Sequence, residues 1–148
     1  MGILERFMAY AQDFERTYRD DDWSRLAQYF TPDATYEVKH APFACLLKGR
    51  DAIFHGTKKS LDGFDRKFTT RTVGVTAPPL VEGDTVTIGW TGTYERPGAP
   101  ALTVRGRTVA RYAGDLITQL SDSYEDDKAA ETTAWMRAHG ADVKLSYV

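Results

Sequence analysis

The sequence predicts an α+β domain in which helices pack on one face of a curved antiparallel sheet, and three observations carry that expectation. Apolar residues recur at three- and four-residue steps before residue 64 and again after residue 127. Four long segments between them alternate polar and apolar side chains, the pattern of strands with one covered face. The stretches joining those segments, Pro78-Pro79, "RPGAP" and "AGD", have turn composition, so consecutive strands form a meander. The chain has 148 residues, 42% apolar and 27% charged. That is one domain of ordinary globular composition, long enough to bury roughly 70% of its unfolded surface.

The elements follow in order. Ile3, Leu4, Phe7, Ala11, Phe14 and Tyr18 place a first helix, which "RDDD" interrupts. Asp21 or Asp22 is expected to cap a second, short helix carrying Trp23, Leu26, Ala27 and Phe30, ended by Pro32. The two make a hairpin with an aromatic inner face. "ATYEVKH" reads as a strand with Tyr36, Val38 and His40 on one side, and "APFACLLKG" as a loop. A third helix starts near Asp51, carries Ile53, Phe54, Thr57 and Leu61, and closes at Asp62-Gly63. The strands "RKFTTRTVGVTA", "DTVTIGWTGTYE", "LTVRGRTVARY" and "ITQLSDSYEDD" come next, then a last helix from about Lys128 to His139, ended by Gly140.

Composition removes several classes of function. With 19 basic and 21 acidic residues the net charge is −2, which gives no reason to expect nucleic acid or an anionic membrane. Cys45 is the single cysteine, so no internal disulfide forms, and it reads as a small buried hydrophobe. "MGILERF" has neither an apolar signal core nor the myristoylation pattern, and no apolar run approaches the ~20 residues that span a bilayer, so a cytoplasmic protein is expected. His40, His55 and His139 show no metal-ligand spacing, no cofactor motif is visible, and Asp20-Asp21-Asp22 reads as helix capping rather than a metal site.

Three stretches, "YRDDDWSRLAQYFTPDATYE", "KGRDAI" and "GDLITQLSDSYED", resemble the nuclear transport factor 2-like superfamily, in particular its SnoaL-like branch. The resemblance covers about residues 5 to 126. It implies a cone whose sheet wraps a helix hairpin around a deep apolar cavity, with residues 1–126 as the cone and 127–148 as a helix and tail of the same domain. It does not imply one function, because such relatives include isomerases, cyclases, hydrolases and adaptors. Ketosteroid isomerases place a Tyr and two Asp where this chain has Phe14, Val38 and Thr108, so that activity is not expected. Limonene-epoxide hydrolases end their last strand with an Asp, which Asp122 in "SDSYED" matches, but their Arg-x-Asp pair has no counterpart in "IGWTGTYE". SnoaL cyclases use an Asp with a His partner, and Asp122 supplies the first.

Alternation turns Tyr36, Val38 and His40, then Trp90 and Tyr94, then Thr108, and finally Leu120, Asp122 and Tyr124 toward the interior. An acid sharing a face with Leu and Tyr is the feature that needs explaining. Desolvation raises the pKa of such a carboxyl and suits it to proton transfer near neutral pH. The expected catalytic pair is Asp122 with His40. The expected ligand contacts are Phe14, Tyr18, Tyr36, Trp90, Tyr94, Thr108 and Tyr124. The expected function is binding of a small, mainly apolar molecule, with cofactor-free acid–base chemistry of isomerase, cyclase or hydrolase type. Two alternatives stay open: a binding module without turnover, and an assembly domain with a filled cone and a protein partner on the sheet face. Arg105, Arg107 and Arg111, with Arg71 close by, and a row of threonines mark the outer face, where relatives pair as homodimers.

Overall fold

The computed structural model describes residues 2–147. Helix α1, Ile3–Asp20, ends where Asp21 turns left-handed at φ 59° and returns its N–H to the Thr17 carbonyl. The expected second α-helix is instead a 3-10 turn, Trp23–Tyr29, and neither Asp21 nor Asp22 caps it through a side chain. Phe30 belongs to strand β1, Phe30–Val38. Pro32 therefore does not stop a helix. It sits in β1 where pairing with the last strand is interrupted between Phe30 and Thr35, so its missing N–H breaks no ladder bond. Part of the expected loop is a short strand β2, Cys45–Lys48, antiparallel to β1.

Helix α2, Arg50–Gly63, and a 3-10 turn, Asp65–Lys67, lead to β3, Thr70–Val75, and β4, Leu80–Glu82. Three long strands follow, β5 Thr85–Glu95, β6 Leu102–Ala113 and β7 Leu116–Tyr124, then helix α3, Asp126–His139. The sheet runs β2-β1-β7-β6-β5-β3, with β4 beside β5. It is mixed rather than wholly antiparallel, because β1 and β7 pair in parallel. The chain leaves β1 through β2 and α2, crosses to the far edge and meanders back, so its last strand closes on its first. No helix among the described residues is long and apolar enough to cross a membrane.

Alternation holds along β5 and β6, where Val86, Ile88 and Tyr94, and Leu102, Val104 and Ala110, are buried. It slips once in β7. Gln119 faces Arg111 and Ile117 faces Tyr112, which leaves Thr118 as an extra, bulged residue. Ile117 and Leu120 are both buried as a result. From Leu120 onward the predicted phase is correct. α1 and α2 lie on the concave side, where aromatic rings dominate: Phe64 sits within 5.2 Å of the ring centres of Phe43, Phe68 and Tyr94.

Candidate active site in the cone

The concave side is not filled. It holds a cavity of about 240 Å³. Ten lining residues are aromatic, and the charged ones are Glu15, Asp65, Arg71 and Asp122.

β7 carries Asp122 in the middle of the wall. Val38 on β1 and Thr108 on β6 face it from either side in one cross-strand row. The two positions where the resemblance to ketosteroid isomerases would put acids thus flank the acid this chain has. The Tyr36 hydroxyl donates to Asp122 Oδ2 at 2.5 Å, and Thr108 Oγ1 donates to Oδ1 at 2.5 Å. Trp90 Nε1–H donates in turn to Thr108 Oγ1 at 2.9 Å. Asp122 forms no ion pair with the described residues, and its open side is the cavity. Burial pushes its carboxyl above the ordinary range, against the pull of the Thr108 and Tyr36 hydrogen bonds. Burial, and after it the charge on Asp122, pushes the phenols of Tyr10 and Tyr36 well up, so both stay protonated donors. The Tyr10 hydroxyl, one turn before Phe14 on α1, makes no hydrogen bond with the described residues and lines the cavity.

A second polar group occupies another part of the wall. Asp65 Oδ2 accepts from Arg71 Nε at 3.0 Å and from the Tyr94 hydroxyl at 3.1 Å, while Arg71 Nη1 reaches Glu15 Oε2 at 2.9 Å. Arg71 lies opposite Tyr94 in the β3–β5 register and shares its inward face. It does not join the exposed outer-face residues Arg105, Arg107 and Arg111.

Of the residues singled out in the sequence, Phe14, Tyr36, Trp90, Tyr94, Thr108, Asp122 and Tyr124 line the cavity together. Tyr18 does not: its ring lies under the guanidinium groups of Arg71 and Arg66. His40 is exposed and off the wall. β1 ends at Val38, the Lys39 N–H closes the pairing on the Asp122 carbonyl, and the chain turns away before the imidazole could face inward. Sequence reasoning passed over Tyr10, Asp65 and Tyr147. Tyr10 was within reach, three residues after Phe7 and four before Phe14. Asp65 lies just past a helix end and Tyr147 in the tail, where no periodicity assigns a face.

The family described as SnoaL-like domain matches residues 11–120. The chain belongs to the SnoaL-like family. The SnoaL-like match stops two residues before Asp122, so the end of β7 and the C-terminal tail lie outside the matched segment. No curated protein matches this SnoaL-like chain in sequence. Solved structures share its nuclear transport factor 2-like fold. A Catenulispora acidiphila protein with a ketosteroid isomerase-like fold, in complex with trimethylamine, is 24% identical, with 84% of this chain and 92% of that one covered at a TM-score of 0.61. TerC, co-crystallised with polyporic acid, is 14% identical over 91% and 98% of the two chains, TM-score 0.66. A nuclear transport factor 2-like protein of unknown function from Burkholderia pseudomallei is 11% identical over 88% and 96%, TM-score 0.66.

Proposed function

We propose that this protein binds a small, mainly apolar molecule in its cone and moves a proton on or off it through Asp122, without a cofactor. The observation that carries the reading is the Asp122 carboxyl, open to the cavity, held by two hydroxyl donors and lacking a cationic partner among the described residues. A carboxyl so placed keeps its proton nearer to neutral pH than a solvated one and can return it to a substrate carbon or oxygen. The Tyr10 phenol, without a hydrogen-bond partner among the described residues, is a donor for a substrate oxygen. Isomerisation, cyclisation and hydrolysis all need that pairing of proton carrier and oxygen ligand. The same reading has two copies paired through the outer sheet face; a sedimentation mass of 16.6 kDa, one chain, would sink that part.

The test uses small apolar ketones in D₂O, followed by NMR. Wild-type protein is expected to speed deuterium uptake beside the carbonyl, and Asp122→Asn to remove about 10²–10⁴ of that acceleration. A ketone that binds both proteins and exchanges equally fast on both would end the proton-carrier reading.

Charge favours a second reading, a binding module for a small amine. Three carboxyl groups and one guanidinium line a cavity of aromatic rings, which suits an ammonium group. The bound trimethylamine of the Catenulispora relative fits this. Stabilisation by amines with no product formed would support the module over the enzyme.

A further inference from the structure

Helix α2 carries two glycines, Gly56 and Gly63, seven residues and about two turns apart on one face. A Cβ on Gly56 would stand 2.6 Å from the Tyr147 carbonyl oxygen, and one on Gly63 would stand 2.7 Å from that of Lys144. The chain after α3 lies in the groove these glycines leave. The Lys144 N–H donates to the Gly63 carbonyl at 2.9 Å, Val143 is buried, and Leu145 packs against the core. The segment delivers Tyr147 to the cavity wall, its ring centre 5.7 Å from that of Tyr36.

We propose that this C-terminal strap completes the site, with Tyr147 as a positioning residue for the Tyr36–Asp122 pair. The proposal rests on the reading of Asp122 as proton carrier. The Tyr147 ring lies tilted at 48° against that of Tyr36. Tyr36 has a single hydroxyl hydrogen and gives it to Asp122. That bond is kept only while the Tyr36 ring is held at the angle that aims its hydroxyl at the carboxylate. Tyr147, packed on the ring, holds that angle. The other groups acting on Asp122, or acted on by its charge, are Thr108 on β6, the phenols of Tyr10 on α1 and Tyr124 on β7, and the Cys45 thiol on β2. Tyr147 also feels the Asp65 carboxyl.

The experiment is an NMR titration of carboxyl-¹³C-aspartate protein, which needs no substrate. Tyr147→Leu keeps an apolar side chain and removes the ring. It is expected to raise the Asp122 midpoint by roughly 0.1–0.7 of a pH unit, against roughly 1–2 for Tyr36→Phe. Tyr147→Phe restores the ring and is expected to return the midpoint to the wild-type value; Tyr147→Met serves if Tyr147→Leu does not fold. A midpoint unmoved by Tyr147→Leu while Tyr36→Phe raises it overturns the positioning role. An ordinary wild-type midpoint that Tyr147→Leu still raises keeps the positioning role and sinks the proton-carrier reading instead.

Discussion

Asp122 and Asp65 are the same residue in the same cavity, and their neighbours give them opposite weights. Asp122 accepts only from neutral hydroxyls, so burial raises its pKa above the ordinary 3.8. The folded state then holds the proton more tightly than the unfolded one. That stabilisation is fully present below about pH 3.8 and is lost as pH rises through the folded value. Asn never ionises and escapes the loss. Asp122→Asn is expected to be at least as stable as wild type at pH 7, with a flatter stability profile between pH 4 and 7, by about 1.4 kcal/mol for each unit the carboxyl had been raised. Urea unfolding at the two pH values measures this. Asp65 faces a guanidinium, and both side chains are nearly covered, 12% and 13% exposed. Asp65→Asn leaves Arg71 with Glu15 alone and is expected to cost about 2–3 kcal/mol at pH 7, somewhat less than stranding a buried charge outright. Asp122 was legible because a carboxylate in phase with Leu120 and Tyr124 breaks the strand's pattern. Asp65 was not, since its partner Arg71 is supplied by a register that only the folded sheet sets.

The elements divide by how much of their signal is local. α1, α2 and the long strands were readable from periodicity, because each spans several repeats with one covered face. Trp23–Tyr29 carries the same apolar spacing as an α-helix but winds as a 3-10 turn, so that Phe30 can enter β1. β2 has four residues, Cys-Leu-Leu-Lys, too few to alternate visibly, and is a strand because β1 offers it an edge. Gly63 was read only as the end of α2 and Gly56 was not singled out, yet both are contact sites. Exchanging a mid-helix glycine for alanine ordinarily stabilises by about 1 kcal/mol. At Gly56 the added methyl meets Leu47 Cδ1 as well as the Tyr147 carbonyl, both at 2.6 Å. Gly56→Ala is therefore expected to destabilise, by up to roughly 2 kcal/mol once the crowding of about 1–3 kcal/mol is set against the helix gain. Faster deuterium exchange at the Lys144 amide, which the strap bonds to α2, would locate the damage; unchanged exchange with raised stability would mean the groove does not hold the tail.

At the scale of the molecule, closing the last strand onto the first brings together Tyr36 and Asp122, 86 residues apart in sequence. Strand order is a tertiary fact, and only the family resemblance made it foreseeable. The cone also sets a charge preference that the net −2 of the chain does not reveal. Its wall exposes Glu15, Asp65 and Asp122 against Arg71, and Arg71 is already bound by two of those carboxylates. An incoming anion would meet the surplus negative charge without a free cation among the described lining residues to offset it. An ammonium group would meet ring faces and the Asp122 carboxyl, which has no cationic partner among the described residues and whose proton it would help to release. Screening is weak for charges enclosed by protein, so the preference should persist at physiological salt. Of two probes with the same ring, N,N-dimethylbenzylamine is expected to raise the melting temperature and phenylacetate to leave it unchanged. At a hundredfold excess over Kd the amine's effect would correspond to about 2.7 kcal/mol. Asp122→Asn should shrink the amine's shift while sparing that of toluene, which reads only the apolar walls. Equal stabilisation by acid and amine would show that Arg71 is free to bind anions, and that the cone sorts its ligands by shape alone.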